Sequence, residues 1–142
     1  MLSYNIRSGS DSNNNITGWS GGYNIFSSRD FSSTGDFSFK LTYYGDSTWN
    51  SVFIESLTAG EYQLKCDILS KDTTCKISLI ARDGDNIIST HQVVSVDSNE
   101  WQSISLNNTI EDRQTFQILI SNSSGTSNNK PIYIDNMSIT IQ

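Results

Sequence analysis

Three aromatic residues stand where the local pattern does not force them into a core. Trp49 lies in the polar run Gly45-Asp46-Ser47-Thr48-Trp49-Asn50. Tyr23 follows Gly21-Gly22. Tyr44 has the opposite phase from Phe37, Phe39, Leu41 and Tyr43. An exposed ring offers a flat apolar face, and such a face packs well on the C–H side of a pyranose. Trp49, Tyr44 and Tyr23 are therefore the candidate ligand platforms.

Residue types for catalysis are sparser. The chain has one histidine, His91, in Ser89-Thr90-His91-Gln92. It carries no G-x-S-x-G elbow, no H-E-x-x-H and no phosphate-binding glycine loop. Glu55 stands in the apolar stretch Val52-Phe53-Ile54-Glu55, where a carboxylate must be paired or face water. No motif nominates a carboxylate pair for glycoside hydrolysis, so the expectation is a protein that is not an enzyme. The run Asp83-Gly84-Asp85-Asn86 lacks the distal Glu of a calcium-binding loop and reads as a hairpin turn. Cys66 and Cys75 are too few for a disulfide framework and read as one bridge or two buried thiols.

Composition narrows the function classes. Fifteen acidic residues against nine basic ones give a net charge of −6, which opposes nucleic-acid binding. No apolar run is long enough to span a bilayer, so no membrane insertion is expected. The start, Met1-Leu2-Ser3-Tyr4-Asn5, has neither the basic nor the apolar region of an export signal. Either export information was removed or lies elsewhere, or a place outside the cell is reached by another route, for instance as part of a virus particle.

The elements that must position these groups are strands. Phe37–Tyr43, Tyr62–Ile68, Cys75–Ala81 and Phe116–Ile120 alternate apolar and polar residues with period two, the mark of half-buried antiparallel strands. Less regular candidates span 2–7, 22–27, 51–57, 86–96, 101–106 and 131–141. Ser, Thr and Asn are abundant and alanine occurs twice, a composition poor for helices. About ten strands in one domain, 1–142, imply an all-β antiparallel sandwich. In the last strand Ile132 and Ile134 share one phase, whereas Met137, Ile139 and Ile141 share the other. The slip falls at Asp135-Asn136 and predicts a β-bulge or kink there.

Five segments, in order, carry a family pattern: Ile16-Thr17-Gly18-Trp19-Ser20; Ser33-Thr34-Gly35-Asp36-Phe37-Ser38-Phe39-Lys40-Leu41; Leu57-Thr58-Ala59-Gly60-Glu61-Tyr62-Gln63-Leu64; Asn99-Glu100-Trp101-Gln102-Ser103-Ile104-Ser105-Leu106; and Ile132-Tyr133-Ile134-Asp135-Asn136-Met137-Ser138-Ile139. From about Thr17 to Ile141 the chain resembles the galactose-binding-like, jelly-roll carbohydrate-binding modules. It is most similar to the groove-binding modules attached to xylanases and other glycanases. The resemblance implies a non-catalytic domain that binds a poly- or oligosaccharide and holds an attached catalytic domain, or a virion or surface assembly, against a glycan. The location implied is extracellular, at a cell surface or on a virion. The alternative is a structural or adhesion module of a phage tail or cell-surface assembly.

Relatives bind along the polar face of one sheet. Carried onto this chain, that face would hold Gln63, Lys65 and Asp67, then Lys76, Ser78 and Arg82 on the next strand, with Gln117 and Tyr133 nearby. Gln63, Lys65, Arg82 and Gln117 are the expected hydroxyl partners, since amides and guanidinium match paired hydroxyls. Trp19 and Trp101 occupy structural positions of the pattern. The resemblance also implies a structural Ca²⁺ held by Asp135, with Asp11 and Asp36 as partners. Asp67 stands where relatives often have an aromatic, and Asn13-Asn14-Asn15 replaces a usual acidic ligand segment.

Overall fold

The structure, a computed structural model, describes residues 3–5, 20–21, 25–28, 33, 38–41, 49–55, 57–122 and 131–142. At 3–5, 20–21, 25–28, 38, 49–50 and 122 it describes the backbone. These residues form eleven strands: β1 (Ser3–Asn5), β2 (Ser20–Gly21), β3 (Ile25–Ser28), β4 (Ser38–Leu41), β5 (Trp49–Ile54), β6 (Gly60–Ser70), β7 (Cys75–Asp83), β8 (Asn86–Val94), β9 (Gln102–Ile110), β10 (Thr115–Asn122) and β11 (Ile132–Ile141).

Two antiparallel sheets stack as a sandwich, as the alternation predicts. The six-stranded sheet runs β3-β4-β11-β6-β9, with β1 also on β11; the five-stranded sheet runs β2-β5-β10-β7-β8. The core between them takes alternate residues from each strand: Tyr62, Leu64, Cys66 and Ile68 from β6; Cys75, Ile77, Leu79 and Ala81 from β7; Phe116, Ile118 and Ile120 from β10. Each fully buried Leu, Ile or Phe contributes ~1.5–3 kcal/mol relative to exposure. Tyr62 meets Phe116 edge-on with centroids 5.5 Å apart, and its hydroxyl donates to the Thr58 carbonyl at 2.6 Å. Burial of that ring thus leaves no polar atom stranded.

Cys66 and Cys75 are buried free thiols, one on each sheet. Between β7 and β8 a two-residue turn, Gly84-Asp85, has a φ of +58° at Gly84. A hairpin turn of the II′ kind needs that positive φ at its first central residue.

The predicted bulge in β11 is present. Asp135 pairs with Asp67 and Ser138 with Lys65, so Asn136 and Met137 together oppose Cys66. Asn136 takes a left-handed φ of +52°, which Asn tolerates better than most residues. A second bulge lies in β8, where Ala81 pairs with Ser89 but Arg82 pairs with Ile87, leaving Ile88 as the extra residue.

One consequence for the site contradicts expectation. β6 and β7 are consecutive, yet they belong to opposite sheets. Gln63, Lys65 and Asp67 therefore do not share a face with Lys76, Ser78, Arg82 and Gln117. The chain between Ser70 and Cys75 crosses from one layer to the other, whereas a hairpin within one sheet would have kept them together.

Candidate functional site

The outer face of the five-stranded sheet follows from register and parity. Ile77, Leu79, Ala81, Phe116, Ile118 and Ile120 point into the core. Their neighbours Lys76, Ser78, Ile80, Arg82, Gln117, Leu119 and Ser121 therefore point outward. Cross-strand pairing arranges the outward residues in rows. Ser51, Leu119, Ser78 and Gln92 form one; Phe53, Gln117, Ile80 and Thr90 form the next.

The middle of this face is covered. Ser51, Ser78, Ile80 and Gln117 are 1%, 3%, 5% and 9% exposed although they point away from the core. The flanks are open: Phe53 is 49% exposed on β5, and Thr90 and Gln92 are exposed on β8. A floor of hydroxyls, an amide and aliphatic side chains thus lies between an exposed ring and a polar edge. Such a mixture suits a ligand that has both C–H faces and hydroxyls.

Two of the sequence-predicted residues meet on this floor. Arg82 donates from Nη1 to Gln117 Oε1 at 2.9 Å and from Nη2 to the Asp85 carbonyl at 3.2 Å. The bulge at Ile88 sets the local twist where Arg82 leaves the sheet. The planar guanidinium keeps three further N–H donors beyond these two bonds. Trp49 stands on β5 in register with Ser121, on the same strand as Phe53; its side chain, and all of Tyr44 and Tyr23, lie outside the described residues.

Phe53 was not among the candidates, and the signal for it was present. Val52 and Ile54 face the core, so Phe53 shares the phase of Ser51 and Glu55 and must face outward. Glu55 is exposed, the first of its two options. His91 is exposed on β8, three strand spacings (about 14 Å) from β5. The two groups are thus not joined for acid–base work.

Gln63 and Lys65 lie on the outer face of the other sheet. Lys65, Asp67, Ser103, Ser105, Asn136 and Ser138 line a shallow depression of about 410 Å³ there. Its one organised feature is a lock around Asp67, whose carboxylate accepts Ser33 Oγ at 2.8 Å, Ser103 Oγ at 2.9 Å and Asn136 Nδ2 at 2.9 Å. Partial burial pushes the Asp67 carboxyl up, and the bonds from Asn136, Ser33 and Ser103 pull it down; the net direction is below the usual carboxylate range.

Next to it, Asp135 is buried. Its Oδ2 accepts the Ser33 N–H at 2.9 Å and its Oδ1 the Asn136 N–H at 2.8 Å. Ser33 thereby ties the bulge to both carboxylates. A cavity of about 10 Å³, lined by Phe39, Ile134, Asp135, Asn136 and Met137, adjoins it. That is room for about one water molecule. Among the described residues no group of three or more His, Cys, Asp or Glu side chains is placed to hold a metal ion. Asp11 and Asp36 lie outside the described residues.

Solved structures share this architecture at low sequence identity. A family 61 carbohydrate-binding module in complex with β-1,4-galactotriose superimposes with a TM-score of 0.69 at 16% identity, covering 100% of both chains. The fold is that of the jelly-roll carbohydrate-binding modules. The first family 22 xylan-binding domain of Xyn10C from Paenibacillus barcinonensis gives 0.67 at 13% identity, covering 99% of this chain and 92% of that one. The enzymatically active domain of tailspike protein 4 from bacteriophage CBA120 gives 0.70 at 18% identity; 94% of this chain matches 21% of that one. No protein-family model matches the sequence, and no curated protein matches it.

Proposed function

We propose that this protein is a non-catalytic module that binds an oligo- or polysaccharide along the outer face of the five-stranded sheet. The observation that carries this reading is the Arg82–Gln117 pair on a buried floor beside the exposed ring of Phe53. Phe53 would take the apolar face of one sugar ring. Gln117, Arg82 and Ser78 would take hydroxyls. Trp49, Tyr44 and Tyr23 are further aromatic contacts on this reading. Sugar hydroxyls exchange water bonds for protein bonds at a net ~0.5–1.5 kcal/mol each, so a single module binds modestly. Several copies on one assembly would gain avidity.

The fold's company supports a role: the module would hold an attached or associated protein against a glycan outside the cell, at a cell surface or on a virion. The partial match to a phage tailspike favours a second reading, a structural or adhesion module of such an assembly. A structural Ca²⁺ held by Asp135, Asp11 and Asp36 belongs to the first reading and would stabilise the bulge in β11.

A glycan array on the purified chain, with and without a chelator, tests both together. The expected result is binding to at least one glycan, weakened at least tenfold by Phe53→Ala or Gln117→Ala, and a lower Tm in chelator. Absence of binding to plant, bacterial and animal glycans, together with a stable trimer in light scattering, would overturn it in favour of the structural module.

A further inference from the structure

We infer that the ligand of this face is an acidic saccharide, one whose sugars carry carboxylates. This rests on the carbohydrate reading and narrows it. Arg82 is half-buried, and the two acceptors that orient its guanidinium, Gln117 Oε1 and the Asp85 carbonyl, are both neutral. Among the described residues no carboxylate pairs with it. A guanidinium removed from water normally gains a carboxylate partner, and its fork matches a carboxylate bidentately. Here the protein supplies the orientation and leaves the fork open.

Lys76 extends the argument. It lies on the same outer face of the same strand, six residues from Arg82, or about 20 Å along β7. It is half-buried and makes no ion pair among the described residues. Between the two cations the described floor, Ser51, Ser78, Ile80, Gln117 and Leu119, carries no charge. Among the described residues the nearest acids are exposed: Glu55, which follows β5 with the outward phase of Phe53, and Asp83 and Asp85 at the β7–β8 turn. A chain of net charge −6 has thus kept two cations on this face, and the described acids near it, Glu55, Asp83 and Asp85, stand at the Arg82 end and form no ion pair with it. A neutral glycan would use the amide and hydroxyls equally well and would bring no counter-ion to either cation.

The test is titration calorimetry of the whole chain with uronate oligomers (galacturonate, guluronate–mannuronate and glucuronate-containing series) in physiological salt. Each is run beside its carboxyl-reduced, neutral form. The expected result is that at least one uronate series binds ten times or more tighter than its reduced form. Arg82→Gln and Lys76→Gln should each collapse that ratio toward one. Lys76 makes no ion pair among the described residues, so its variant reports on charge even if Arg82→Gln is unstable; circular dichroism confirms folding of both. Equal binding of acidic and reduced oligomers would overturn the acidic preference and leave saccharide binding standing. Binding by neither form, nor by any glycan on the array, would overturn both.

Discussion

Asn108 is the polar group on which the junction of the two sheets turns. It points inward from β9 between Leu106 and Ile110 and is buried. Its Nδ2 donates to the Leu79 carbonyl at 2.9 Å; its Oδ1 accepts from Ser89 Oγ at 2.9 Å and from the Thr109 N–H at 2.8 Å. One side chain of the six-stranded sheet therefore holds β7 and β8 of the other, beside the strand that carries Arg82. Asn108→Ala strands the buried Leu79 carbonyl, at ~1–3 kcal/mol, and removes two half-buried bonds at a net ~0.5–1.5 kcal/mol each. The expected loss is about 3 kcal/mol, or roughly 9 °C in Tm for a chain of this size. Asn108→Asp sharpens the test. Its carboxylate would face the Leu79 carbonyl in a buried place, so the folded state would raise its pKa. The penalty should be full at pH 7 and shrink as pH falls toward 4, where the protonated acid again donates. Urea unfolding at both pH values measures this. A loss under 1 kcal/mol for Asn108→Ala, or a pH-independent deficit for Asn108→Asp, would refute the reasoning.

Other expectations concern the β11 bulge and the thiols. Asn136→Ala should cost about 1–2 kcal/mol, through a strained left-handed φ and the lost bond to Asp67; Asn136→Gly should cost less, because glycine relieves the strain, and equal losses in denaturant melts would count against that account. The Asp67 carboxyl is lowered in the fold, so its contribution is present above the ordinary carboxylate range and lost as pH falls through the folded value. Asp67→Asn should therefore lower Tm at pH 7 and approach the parent as the pH drops below that range; a gap that widens with acid would contradict this. Burial, and then the charge of Asp67, pushes the Cys66 thiol up to about 12, and burial also raises Cys75. Native protein at pH 8 should leave both thiols unmodified by a thiol reagent until denaturant is added, and fast labelling would show that the core opens.

The alternation Tyr62–Ile68, Cys75–Ala81 and Phe116–Ile120 was enough to assign which side of each strand meets the core, because the side-chain period in a strand is two whatever its neighbours are. The phase slip between Ile134 and Met137 likewise located a bulge, since an extra residue is the one local way to invert parity within a strand. The exposed ring of Phe53 was legible by the same rule once Val52 and Ile54 were assigned inward. Sheet membership was not legible. β6 and β7 carry the same alternating pattern and are joined by a short connection, and that pattern is equally content in either layer. Only the long-range pairing of β6 with β9 and β11, and of β7 with β8 and β10, separated Gln63 and Lys65 from Arg82 and Gln117. Parity is a property of one strand, whereas a binding face is a property of several strands brought side by side by contacts distant in the chain.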